Sequence, residues 1–183
     1  MTEIVNQNEE TSAGRAAAAL RSGGVIVYPT ETLYGIGALL SNKEGIKRIF
    51  EIKGRPSGKP FPILVGDMKM LEETVKLNKA ARKLAREYLP GALTMILKGK
   101  RDLPGELTSG GDKAAVTISG HEFVSKLFEI IEEPLISTSA NISGGENLTD
   151  FEDIRRVFEG KVDLIVNSGK ISASKGSTIV DMT

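Results

Sequence analysis

Short runs of β-branched and other apolar residues alternate along this chain with stretches in which apolar positions recur every three or four residues. The first pattern is that of buried strands and the second that of helices with one greasy face. The runs at 25–28 (Val-Ile-Val-Tyr), 62–65, 93–97, 114–118, 134–138, 162–166 and 177–180 read as strands. Pro60 and Pro62 confine the second of these to a sheet edge or to a late start, because proline cannot donate to a ladder.

Helix signals fall between the strands. Ser12 can cap a helix that runs to Arg21, with Gly23 just past its end, and Asn42 can cap another whose Ile46, Ile49 and Phe50 share a face. Asp67 and Asn78 open two more, 121–131 reads as helical, and Thr149 with Glu152 forms a capping box for a helix to Phe158. Residues 104–111 read as a glycine-rich loop and residues 1–11 as a flexible N-terminus. The pattern predicts an α/β fold, a single domain over residues 1–183. Its sheet is open, twisted and mixed, parallel and antiparallel, with helices on both faces, since several connections are short enough for hairpins.

Composition narrows the chemistry. At 183 residues with 40% hydrophobic content the chain can bury a core, and 24 basic residues balance 24 acidic ones. A formal net charge of zero argues against a protein devoted to wrapping nucleic acid or lying on an anionic membrane. No cysteine is present, so disulfides, thiolate metal sites and cysteine nucleophiles are excluded together. His121 is the single histidine, which rules out a multi-histidine metal site, and its place at a helix start favours a structural role. No apolar stretch approaches the roughly 20 residues that cross a bilayer, and the N-terminus lacks the features of a signal peptide. The expected location is cytoplasmic.

Candidate chemistry gathers where strands end. Behind the 25–28 strand come Pro29, Thr30, Glu31, Thr32, Leu33, Tyr34 and Gly35, two hydroxyls, a carboxylate and a phenol in a loop where α/β proteins place ligands. Lys53-Gly54-Arg55-Pro56, followed by Lys59, has the form of a helix C-terminus. Its three cations sit without acidic neighbours, as on a solvated face or in a polyphosphate site. A third cluster, Ser137-Thr138-Ser139-Ala140-Asn141-Ile142-Ser143-Gly144, crowds hydroxyls and an amide at a strand end, and Ser177 with Thr178 opens the last strand in the same manner.

Taken in order, the segment from Tyr28 to Gly37, the Lys53–Pro56 motif, Pro90-Gly91-Ala92-Leu93-Thr94, the 137–144 motif and Ser177-Thr178-Ile179-Val180-Asp181 resemble the Sua5/YrdC family of threonylcarbamoyl-AMP synthases, over roughly residues 12–183. The resemblance implies a YrdC-like fold and an enzyme that joins L-threonine, bicarbonate and ATP into threonylcarbamoyl-adenylate with release of pyrophosphate. A partner complex then transfers the group to certain tRNAs. It places Lys53, Arg55 and Lys59 on the ATP phosphates and Asn141 and Thr149 on the nucleotide. Thr32, Ser139 and Ser177 fall on threonine, with Thr30, Tyr34 and Thr117 as further candidates. Magnesium is expected with the triphosphate, held mainly by phosphate and water.

The chain departs from the family pattern at Thr117, where relatives usually carry an arginine near the threonine carboxylate, and relatives usually continue past the 177–181 segment through a strand bearing an ATP-contacting arginine. The competing reading is an RNA-binding module without catalysis, through Lys79, Arg82, Lys83 and Arg86, which form one basic stripe at helical spacing. A carbamoyl-handling domain like those of larger hydrogenase-maturation proteins is a third.

Overall fold

The computed structural model describes residues 1–55, 61–100, 103–108, 111–172 and 176–183. In chain order the elements are β1 (Glu3–Asn6), α1 (Ser12–Arg21), β2 (Ile26–Pro29), β3 (Tyr34–Leu39), α2 (Lys43–Lys53), β4 (Ile63–Leu64), α3 (Met68–Thr74) and β5 (Val75–Lys76). They continue with α4 (Lys79–Tyr88), β6 (Leu93–Gly99), α5 (Gly105–Thr108), β7 (Lys113–Thr117), α6 (Glu122–Phe128), β8 (Leu135–Ser139), α7 (Phe151–Phe158), β9 (Leu164–Asn167) and β10 (Thr178–Asp181).

One mixed sheet runs β1-β9-β2-β3-β8-β4-β7-β6-β10, with β5 pairing to the far end of β6. β1, β9 and β2 are parallel, β2–β3–β8–β4 antiparallel, and β4–β7 and β6–β10 parallel again. Successive residues of β2 separate to opposite faces, as a pleated strand demands: Ile26 and Tyr28 join one apolar cluster with α1 and α6, Val27 the other with α2, α3, α4 and α7. The sheet thus carries helices on both sides, in agreement with the sequence pattern. Phe151, Ile154 and Phe158, at i, i+3 and i+7, pin α7 to the second face. Full burial of side chains of this size contributes about 1.5–3 kcal/mol each.

The structure refines several expectations. Residues 3–6, expected within a flexible N-terminus, form β1 and pair in register with residues 164–167 of β9. The proline-flanked run takes the late start rather than the edge: β4 lies between β7 and β8, and its pairing is confined to Ile63 and Leu64, behind Pro62. Thr11 rather than Ser12 holds the N-cap of α1; Ser12 turns inward and donates to the Gln7 carbonyl. Asp150 rather than Thr149 caps α7, because its carboxylate accepts from the Glu152 amide at 3.0 Å. The 104–111 stretch also contains the short helix α5. The Asn42, Asp67 and Asn78 caps are as expected, each accepting from the amide three residues on.

Candidate functional site

The β2–β3 hairpin builds the floor of the site from two glycines. A Cβ on Gly35 would lie 3.2 Å from the Tyr28 ring, and one on Gly37 would lie 2.5 Å from the Ile136 carbonyl, so bare backbone is required there. The Tyr28 ring fills that space and donates its hydroxyl to Ser137 Oγ on β8 at 2.6 Å. Burial pushes this phenol well above its ordinary pKa, so it remains a donor.

Over this floor opens a cavity of about 350 Å³. It sits where β2, β7 and β8 end and β3, β6 and β10 begin. Its polar lining is mostly hydroxyl, from Thr30, Thr32, Thr94, Thr117, Ser137 and Ser177 among others, with Glu31 and Arg55 as its charged members among the described residues. Many of these hydroxyls hold the walls together. Thr30 Oγ1 donates to the Leu33 carbonyl at 2.6 Å and accepts from the amides of Thr32 and Leu33, which locks the loop behind β2. Thr117 donates to the Leu93 carbonyl at 2.6 Å, and Thr94 and Ser177 are 2.7 Å apart, tying β10 to β6. Arg55 lies over the Phe61 ring, 4.9 Å from its centroid.

Of the residues the sequence proposed, Thr30, Thr32, Tyr34, Arg55, Thr117, Ser139 and Ser177 come together around this cavity. Tyr34 contributes as wall: its hydroxyl donates to the Gly169 carbonyl at 2.8 Å and accepts from the Ser168 amide. Lys53 behaves differently from its expectation. Its side chain is 1% exposed at the end of α2, and Nζ donates to the carbonyls of Ser139 and Asn141 and, at 3.0 Å, to Asn141 Oδ1. Gly54, in the left-handed conformation, ends the helix there. As placed, the ammonium braces the 139–141 turn from beneath, and touching a phosphate would require it to give up one of these oxygens. Burial, with Arg55 nearby, lowers it to about 8. Asn141 is committed to the same turn, accepting from Ser139 Oγ at 2.8 Å and donating to the Gly145 carbonyl. Neither Asn141 nor Thr149 is among the cavity's lining, whereas Asn147 is. Lys59 lies outside the described residues.

Sequence reasoning missed Ser119, Leu64 and Asn147. Ser119 was within reach of the strand-end rule, since it stands two residues past the end of β7. Its hydroxyl donates to the Glu31 carboxylate and accepts from the His121 amide. His121 is structural as expected: Nδ1 accepts from the Phe123 amide and caps α6. The stripe of Lys79, Arg82, Lys83 and Arg86 lies along α4 away from the cavity, with Ala81 and Ala85 turned inward and Arg82 paired with Glu72. Among the described residues no His, Asp or Glu cluster could hold a metal, and no helix is long and apolar enough to cross a membrane.

A mixed sheet with helices on both faces and a hydroxyl-lined cleft at its strand ends defines an α/β domain built to bind a small polar ligand. The chain belongs to the Sua5/YciO/YrdC family, described as telomere recombination, which it matches over residues 18–183. It is 36% identical over 187 residues to a threonylcarbamoyl-AMP synthase of Pyrococcus abyssi, covering 100% of this chain and 55% of that protein. The crystal structure of P. abyssi Sua5 complexed with L-threonine superposes with a TM-score of 0.92 at 35% identity, over 100% of this chain and 54% of that one. Escherichia coli YciO superposes with a TM-score of 0.91 at 29% identity, over 100% of this chain and 91% of that one. The chain spans about half the length of the P. abyssi synthase and of a Bacillus subtilis one that it also matches.

Proposed function

We propose that this chain is an enzyme that forms L-threonylcarbamoyladenylate from L-threonine, bicarbonate and ATP, a nucleotidyl transfer that supplies a tRNA-modifying complex in the cytoplasm. The observation that carries this reading is the cavity between Thr32, Ser139 and Ser177, flanked by Arg55, in a chain whose P. abyssi relative is solved with L-threonine. Threonine's amine attacks the carbon of bicarbonate, forming a C–N bond as water leaves, and a carbamate oxygen then attacks the α-phosphorus while the bond to pyrophosphate breaks.

Neither step needs a covalent protein nucleophile; both need positioning and neutralised charge. Thr32, Ser139 and Ser177 surround the amino acid, with Thr30, Tyr34 and Thr117 shaping its pocket. Arg55 meets the phosphates, a role the resemblance extends to Lys59, while Asn141 and Thr149, outside the cavity's lining, reach a nucleotide only where it extends beyond that cavity. Lys53 acts on the same site by fixing the 139–141 turn. Magnesium fits as an ion carried on the triphosphate, since the described residues provide no carboxylate cage for it. Incubation with ATP, magnesium, bicarbonate and L-threonine should release pyrophosphate only when both threonine and bicarbonate are present. Release that ignores either co-substrate, or none at all, sinks the proposal.

A further inference from the structure

We infer that Glu31 is the ammonium-binding residue of the cleft, a role that rests on the amino-acid reading above and adds to it the group that recognises the substrate's amine. An ammonium brings three N–H donors and a positive charge, so it needs acceptors, best of all a carboxylate. Most of the hydroxyls described above cannot serve as its main partner. Thr30 already accepts from two amides and Ser137 from Tyr28, and hydroxyls with a lone pair to spare, such as that of Thr117, offer no charge to balance the ammonium. Among the described residues lining the cavity, Glu31 is the one carboxylate.

Its setting is built rather than incidental. Glu31 stands between Thr30, which locks the loop, and Thr32, assigned to the same ligand. Its Oε2 accepts from Ser119, a serine only 5% exposed whose Oγ is itself fixed by the His121 amide. That charge-assisted bond fixes the direction of the carboxylate as well as stabilising the loop. Here the hydroxyl orients the carboxylate from the protein side while the residue stays exposed to the cavity. The charges then divide by function, with Glu31 for the amine and Arg55 for the phosphates.

Calorimetric titration with L-threonine and with 2,3-dihydroxybutyrate, in which a hydroxyl replaces the ammonium, tests this directly. The wild-type chain should bind threonine roughly tenfold to a hundredfold tighter than the analogue. Glu31→Gln should lose most of that preference by weakening threonine binding alone, with an unchanged unfolding midpoint showing that the fold is intact. Ser119→Ala should lose part of it. Equal weakening of both ligands would reduce Glu31 to a structural role, and an unaltered preference would remove it from the site; either result overturns the inference while threonine remains the substrate. A wild-type chain that binds no threonine overturns the inference and the substrate assignment together.

Discussion

At Lys53 a helix end, a buried charge and the 139–141 turn meet in one side chain. The helix C-terminus and the cation are both legible in the sequence, yet nothing local shows that the ammonium is consumed by oxygens from a strand end nearly ninety residues later. Replacing it with methionine keeps the bulk but leaves those oxygens without their donor, which should cost about 1–3 kcal/mol by denaturant unfolding at neutral pH. The pH dependence has a definite sign. The unfolded lysine holds its proton up to about 10.5 and the native one to about 8, so between those values the folded state binds fewer protons. Wild-type stability therefore rises across that window relative to Lys53→Met, and the gap between the two widens. A gap that is absent at pH 7, or that narrows above pH 8, contradicts this account of Lys53.

Helix boundaries were legible because their caps are chemical and local. Asn42, Asp67 and Asn78 each had a carbonyl or carboxylate placed for the amide three residues on. At the starts of α1 and α7 the cap lies one residue from the expected Ser12 and Thr149, because Ser12 is drawn to the Gln7 carbonyl and Asp150 offers its carboxylate to the Glu152 amide. β3 has no strand signature in the sequence because Tyr-Gly-Ile-Gly lacks polar alternation, being buried on both faces, and its glycines are needed for the close approach of Tyr28 and Ile136. Of the two outcomes the prolines allow for β4, an edge or a late start, the structure takes the late start: proline forbids a ladder bond only at its own nitrogen, and the two residues behind Pro62 suffice for pairing.

The α6 cap carries a testable titration. Burial holds His121 below its ordinary value, and only neutral Nδ1 can accept from Phe123. On acidification through pH 6.5 the unfolded chain takes up a proton that the native state resists, so stability should fall. In His121→Asn, which keeps a capping acceptor, that component of the fall should be missing. If thermal unfolding of the two proteins tracks identically from pH 7.5 to 5, the cap does not titrate as described.

At the scale of the molecule, most of the cavity's polar wall is legible in the sequence, because hydroxyl-rich strand ends converge wherever a mixed sheet brings several strands to one rim. Arg55, Ser139 and Ser177 come from segments far apart in the chain and meet there. What the sequence hides are contacts that only the topology creates, such as Ser119 against Glu31 across 88 positions. The family relation runs over residues 18–183, and at Thr117, the position singled out as departing from the family pattern, the hydroxyl closes onto the Leu93 carbonyl.

If this cleft fuses bicarbonate to threonine on an adenylate, the bicarbonate carbon must end up in the nucleotide product. Supplying carbon-13 bicarbonate with ATP, magnesium and L-threonine and weighing the nucleotide products tests it most directly. The account predicts an adenylate that carries threonine and one labelled carbon, absent when threonine is omitted. An adenylate of threonine lacking the label, or AMP and pyrophosphate alone under conditions that preserve the labile product, would contradict it.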